Sequence, residues 1–104
     1  MYKDRTQNQV SNLATTLVEC APNTSGDLGC VHICNTTNAA QQVYVSLVPT
    51  GGSMSNANGW LAATIGASGL LSISEPQFMT QGDRLQASGT NTGLVATVSL
   101  IRYP

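Results

Sequence analysis

The sequence predicts an all-β protein, a single antiparallel β-sandwich or barrel. Short runs rich in β-branched and aromatic residues recur about every ten residues, separated by Gly, Asn, Ser and Pro, which favour turns. No hydrophobic pattern with the period of an α-helix, about 3.6 residues, is sustained along the chain. The length of 104 residues is enough for one domain with one core.

Eight runs are predicted strands, and the sixth is so short that we expect seven or eight strands. In chain order they are 13–19, 31–37, 42–48, 60–65, 69–74, 78–79, 84–88 and 94–101.

Turn-forming residues justify the boundaries of these runs. A turn or loop is predicted over 21–27, and the third run stops at Pro49 before a long flexible loop over 51–59 that is rich in Gly, Ser and Asn. A helix over 60–71 is disfavoured because Gly66 and Gly69 interrupt it. Further turns are predicted at Glu75-Pro76, 81–83 and 89–93.

Side-chain alternation along each strand predicts the core, because successive residues of a strand face opposite sides of a sheet. The predicted core residues are Val31, Ile33, Val43, Val45, Leu47, Leu61, Ala63, Ile65, Leu71, Ile73, Leu94, Ala96, Val98 and Leu100. Val95 and Ile101 lie on the opposite face of the last strand, which would suit contact with a neighbouring subunit. Val95, Ile101 and Tyr103 are therefore the candidate subunit interface.

The first ten residues are too polar to join a core. We expect 1–10 to be a flexible N-terminal arm that lies across a neighbouring subunit or the shell beneath, and 11–104 to form the sandwich domain.

Low charge limits the function classes. Charged residues make up 9% of the chain and the net charge is −1, whereas Ser, Thr, Asn and Gln exceed a third of it. An enzyme needs clustered acids, bases or nucleophiles, and nucleic-acid binding needs a basic surface. No secretory signal and no apolar stretch near the roughly 20 residues of a membrane span is visible. We expect no enzyme activity, no nucleic-acid partner and no membrane, and synthesis in a cytoplasm.

The cysteines raise two possibilities. On one strand, Cys30, His32 and Cys34 share a face, and with Cys20 they could in principle ligate zinc, but the spacing is unlike that of a structural zinc site. A disulfide is favoured over a metal, either between Cys20 and Cys30 across a hairpin or between chains. The alternative of plain buried or free thiols stays open. Cys30 and Cys34 cannot bond along one extended strand, which separates them by about 13 Å.

Three further residues have ordinary and functional interpretations. His32 is a surface or interface histidine unless a thiol approaches it as a catalytic partner. Asp83 suits a turn better than acid catalysis. Trp60, at the end of the 51–59 loop, suits a core or subunit contact, although it could stack on a sugar.

Three segments resemble small virion proteins of tailed bacteriophages. They are 12–18 (NLATTLV), 31–37 (VHICNTT) and 81–85 (QGDRL). In that family an opening strand leads to a turn, a strand ending in Cys-Asn or Ser-Asn follows, and a late Gly-Asp-x-Leu turn enters the final hairpin. The resemblance runs from about Asn12 to Tyr103. It implies a jelly-roll-like sandwich that serves as a capsid decoration (cement) protein or as a collar or tail accessory, with no catalytic residues to carry over.

The expected function is therefore non-enzymatic. We expect a bacteriophage capsid decoration or cement protein, located in the virion, that packs as a dimer or trimer against the major capsid protein or another virion protein and uses no cofactor. The alternatives are a neck, collar or tail accessory and, in another class, a glycan-binding sandwich that uses Trp60. We expect at least one disulfide in the mature particle, involving Cys20, Cys30 or Cys34 and favoured between chains, because a released particle meets an oxidising medium.

Overall fold

Two antiparallel sheets pack together in the computed structural model, which describes residues 2–55, 58–74, 77–90 and 92–103. This described part contains nine strands, one more than the seven or eight expected. The strands are β1 Tyr2–Val10, β2 Thr15–Glu19, β3 Ser25–Asn35, β4 Gln41–Val48, β5 Gly59–Ile65, β6 Leu70–Ile73, β7 Gln77–Met79, β8 Arg84–Gly89 and β9 Leu94–Tyr103. The predicted all-β sandwich is confirmed.

Strands that are far apart in the chain pair within each sheet. The first sheet has the order β1-β9-β3-β6, and β7 pairs with the beginning of β3 beside β6. The second sheet has the order β2-β8-β4-β5. Each strand exchanges backbone hydrogen bonds with its neighbours, and the apolar side chains of both sheets meet between them in one buried cluster.

Most of the predicted core is confirmed. On β9 the alternation holds throughout, with Leu94, Ala96, Val98 and Leu100 at most 2% exposed. Val31, Ile33, Val43, Val45 and Ile65 are buried in the same cluster. The remaining predicted core residues are only partly buried where they pack against this cluster. They are Leu47, Leu61, Ala63, Leu71 and Ile73.

The prediction of a flexible N-terminal arm is wrong. Residues 2–10 form β1, which pairs with β9 along its whole length. A polar edge strand is stable here because the ladder bonds come from the backbone, which does not require apolar side chains. Val10 is buried at the end of the strand. The side chains of Thr6 and Asn8 both donate hydrogen bonds to the Leu17 carbonyl of β2, at 2.8 and 3.0 Å, and so join the two sheets.

The third strand is longer than predicted, since it begins at Ser25 inside the expected 21–27 loop. Gly26 is buried against the last strand, and a Cβ atom there would lie 3.0 Å from the Ile101 carbonyl oxygen. The register of β3 on β9 shifts between Leu28 and Val31. This β-bulge keeps both residues in the core although they are three positions apart.

Candidate functional site

The outer surface of the first sheet gathers most of the residues that the sequence singled out. We call it the thiol face. On β3 it consists of Asp27, Cys30, His32 and Cys34, on β9 of Val95, Thr97, Ser99, Ile101 and Tyr103, and on the neighbouring strands of Arg5, Leu70, Ser72 and Phe78.

The register brings sequence-predicted residues together on this face. Cys34 lies opposite Val95, and His32 opposite Thr97. Ile101 lies opposite Asp27, which also pairs with Phe78 on its other side. The candidate interface residues Val95, Ile101 and Tyr103 therefore do share one surface, but they are spread along the whole length of β9.

Large apolar side chains are exposed at both ends of the thiol face. Leu70 is 61% exposed beside Cys34, and Phe78 is 64% exposed at the opposite end, near Tyr103, which is 37% exposed. Val95 and Ile101 are half-buried between them. Neither Leu70 nor Phe78 was among the predicted site residues. The outward direction of Leu70 follows from the predicted inward direction of Leu71 and Ile73, whereas Phe78 lies in a run of two residues that is too short to show alternation.

One tyrosine–carboxylate contact orders the Phe78 end of the face. The Tyr103 hydroxyl donates a hydrogen bond of 3.1 Å to Asp27 Oδ2. This bond to the carboxylate raises the pKa of Tyr103, with smaller contributions in the same direction from desolvation and from the negative charge of Asp27.

All three thiols are free in this structure, so the expected disulfide is not formed within the chain. Cys20 is buried, and its Sγ lies 3.5 Å from the Thr24 carbonyl oxygen. Cys30 is half-buried on the thiol face, where its Sγ lies 4.0 Å from Ser72 Oγ and 3.9 Å from Ser74 Oγ. A disulfide between chains stays a prediction, for which Cys30 and Cys34 are the available thiols.

No metal centre is assembled in the described residues. There, no three His, Cys, Asp or Glu side chains come together to hold a metal ion.

Asp83 Oδ2 accepts hydrogen bonds from the backbone N–H and the hydroxyl of Thr80, at 2.9 and 3.0 Å. This contact confirms the predicted role of Asp83 in a turn.

A second candidate surface is a groove on the outer side of the second sheet, with a volume of about 780 Å³. We call it the Tyr44 groove. Tyr44 is 48% exposed, and Trp60, which is half-buried, also packs against the core cluster. The described lining residues are Asn12, Ala14, Tyr44, Val45, Ser46, Met54, Ser55, Gly59, Trp60, Leu61, Ala62 and Ser88.

Trp60 was a candidate from its position in the sequence, whereas Tyr44 was not. The signal was present, because Tyr44 lies between Val43 and Val45, both predicted and observed in the core, and must therefore face outward. The proximity of Tyr44 and Trp60 could not be predicted, since it depends on how β4 and β5 pair and on a shift of register between Val45 and Ser46.

Comparisons of this chain with protein-family models, with curated proteins and with solved structures found no match. Within the described residues, no helix is long and apolar enough to cross a membrane.

Proposed function

We propose that this chain is a non-enzymatic structural protein of a bacteriophage virion, a decoration or cement protein that packs on the capsid as a dimer or trimer and stabilises it. The sequence resemblance over about 12–103 supports this proposal. So does the scarcity of charge, because hydroxyl and amide groups exchange water for protein partners at a smaller desolvation cost than ions do.

The strand order supports a jelly-roll interpretation of the sandwich. Strands β1 to β4 alternate between the two sheets. The last two strands return and insert between these earlier strands, so that β8 lies between β2 and β4, and β9 lies between β1 and β3. Such a return resembles the paired Greek keys of jelly rolls, an architecture used by viral capsid proteins and also by lectins. The strand order is therefore compatible with the proposal without selecting it.

The observation that carries the proposal is the thiol face. It presents Leu70, Phe78 and Tyr103 to solvent on a sheet whose described charged residues at this surface are Arg5 and Asp27. Exposed apolar side chains at the two ends of one surface can each contribute to a contact. We assign this face to a second copy of the chain, because few ions would need to be desolvated and a two-fold contact would bring the apolar end near Leu70 of one copy to the apolar end near Phe78 of the other.

The area of the face is close to that needed for such a contact. Four strands lie side by side, about 4.8 Å apart. The longest has 11 residues, and each residue extends a strand by about 3.3 Å, so the face covers at most about 700 Å². Stable interfaces bury roughly 800 Å² on each partner. A modest contribution from flanking residues would complete the contact.

The location is tested by a density map of intact particles of the phage that encodes this chain, with mass spectrometry to identify its copies. The proposal expects many symmetry-related copies on the outer capsid shell. A few copies at the neck or tail would favour the accessory alternative. The absence of the chain from purified particles would overturn both.

Self-association is tested separately by analytical ultracentrifugation. Leu70→Glu and Phe78→Glu should each shift the protein toward monomer, because a carboxylate would be desolvated in the contact. Thr64→Glu, exposed on the second sheet, is the matched control and should not change the oligomer. A wild-type protein that stays monomeric at high concentration, or oligomers that survive both thiol-face variants, would overturn this use of the face.

A further inference from the structure

We propose that the Tyr44 groove is a binding site for a neutral saccharide. This activity goes beyond the proposed virion role and does not depend on it, because the groove lies on the second sheet, on the opposite side of the sandwich from the thiol face. Its volume of about 780 Å³ falls within the range of roughly 300–1,000 Å³ that is typical of small-molecule sites.

The floor of the groove is an aromatic ring with small neighbours. In the second sheet, Tyr44 lies opposite Ala62 on one side and Ser88 on the other. Neither neighbour is large enough to cover the ring. The Tyr44 hydroxyl lies 3.2 Å from Gln42 Oε1 and donates a hydrogen bond to it, which orients the ring along the strand. A flat, open aromatic surface of this kind can stack on the C–H face of a sugar ring.

Trp60 adds a second aromatic surface to the same groove. It precedes Ala62 by two positions, at the point where the pairing of β5 with β4 shifts register. Its packing against the core cluster restrains the indole. Two restrained aromatic side chains can contact a ligand at a small cost in conformational entropy.

The polar lining defines the ligand class. Asn12, Ser46, Ser55 and Ser88 supply amide and hydroxyl groups around the aromatic floor. Such groups can exchange hydrogen bonds with sugar hydroxyls. Among the described lining residues none is charged, so the groove offers no cation to a sialic acid, sulfate or phosphate group. An entirely apolar ligand would leave the serines and Asn12 without water or partners.

The loop wall of the groove is held in place by side-chain bonds. Asn58 Nδ2 donates to the Ser53 carbonyl at 2.8 Å, and Asn58 Oδ1 accepts from the Ser55 N–H at 3.1 Å. Further along, the Thr50 hydroxyl donates to the Gln81 carbonyl at 2.6 Å, and Arg84 donates to the Gly52 carbonyl. These contacts fasten the wall that carries Met54 and Ser55, so little ordering is needed when a ligand binds.

The experiment titrates the full chain with chitotriose, cellotriose and maltotriose, and with sialyllactose as an anionic probe, and follows backbone amide signals by NMR. We expect at least one neutral probe to shift signals from Tyr44, Ala62 and Ser88. Tyr44→Ala should weaken that binding about tenfold or more, whereas Tyr44→Phe, which keeps the ring, should retain most of it. Thr64→Ala, on the same strand as Ala62 but outside the groove, is the matched control.

A substitution of Trp60 would also remove contacts with the core, and so would not separate ligand binding from folding. Ala62 is exposed on the floor of the groove, and Ala62→Arg blocks the groove without removing core contacts. It should abolish binding while the amide spectrum stays that of a folded protein. The proposal is overturned if none of the neutral probes binds the folded protein, if sialyllactose binds more tightly than all of them, or if binding survives both Tyr44→Ala and Ala62→Arg. Binding that survives both substitutions would place the ligand outside the groove. Exclusive occupation of the groove by a neighbouring subunit in particles would also overturn the proposal.

Discussion

The Tyr103 hydroxyl donates a hydrogen bond to Asp27 Oδ2 across two neighbouring strands, joining residues that are 76 positions apart in the chain. Both residues lie on the thiol face, at the end where Phe78 is exposed. The contact favours the neutral form of the tyrosine, because only the protonated hydroxyl can donate to a carboxylate.

The first prediction concerns pH. The pKa of Tyr103 is raised in the folded protein, so the stabilisation from this contact is present below the ordinary tyrosine pKa and is lost as the pH rises through the raised value. An NMR titration of the tyrosine rings should show this raised pKa. Asp27→Ala should return it toward the ordinary value, and a Tyr103 that titrates at or below that value in the wild-type protein would contradict the assignment.

The second prediction concerns Asn35, which is fully buried at the end of β3. Its Nδ2 donates to the carbonyls of Ala39 and Ile65 at 2.8 and 3.1 Å, and its Oδ1 accepts from the backbone N–H of Thr37 at 3.0 Å. Asn35→Ala removes these bonds from a fully buried position and should lower the free energy of unfolding by about 2–3 kcal/mol. Urea denaturation measures the loss. The exposed Asn38→Ala is the control, and equal losses in the two variants would refute the role.

The third prediction replaces the expected arm with a structural strand. Deletion of 1–10 removes the burial of Val10 and the bonds of Thr6 and Asn8 to the second sheet, which together correspond to roughly 3–5 kcal/mol. It also leaves the edge of β9 unpaired, which favours aggregation. Thermal denaturation should therefore show a large decrease in Tm. Gln7→Ala, exposed on the same strand, should change the Tm little, and a deletion variant as stable as the wild type would contradict the pairing.

The fourth prediction concerns the thiols. Cys30 and Cys34 are half-buried on the thiol face and should be alkylated before the buried Cys20 under native conditions. If two copies meet through this face, dissolved oxygen should oxidise thiols of neighbouring chains to a disulfide, with loss of two electrons and two protons. Non-reducing gels of alkylated samples should then show a dimer.

Serine variants separate the contribution of the two thiol-face cysteines from that of Cys20. Cys30→Ser with Cys34→Ser should abolish the covalent dimer, whereas Cys20→Ser should not. A dimer that depends on Cys20, or faster alkylation of Cys20 than of the other two, would contradict the placement of the thiols.

The fifth prediction compares two glycines with positive φ. Gly93 has φ of 102°, and a Cβ atom there would overlap Thr37 Cγ2, whereas Gly51 has φ of 79° and open space around it. Gly51→Ala should cost about 1–2 kcal/mol from backbone strain alone, and Gly93→Ala should cost more because of the added overlap. Urea denaturation of both variants provides the comparison. Equal costs would show that Thr37 yields without penalty.

The class of fold and the inward faces of the strongest strands follow from local patterns in the sequence. Val43, Val45 and the even-numbered residues of β9 from Leu94 to Leu100 face the core, as their alternation predicts. Alternation is local information, because the direction of each side chain follows from the extended backbone. The outward direction of Tyr44 could have been inferred from the same pattern.

The pairing of strands, and therefore the sharing of a surface by their side chains, depends on contacts between distant parts of the chain. Backbone ladder bonds are the same for every non-proline residue, so the polar segment 2–10 could become an edge strand although its composition indicates an arm. The same long-range pairing places Tyr44 beside Ala62 and Cys34 between Leu70 and Val95. Both candidate surfaces depend on such pairings, which are set by packing of the whole chain rather than by any local run of residues.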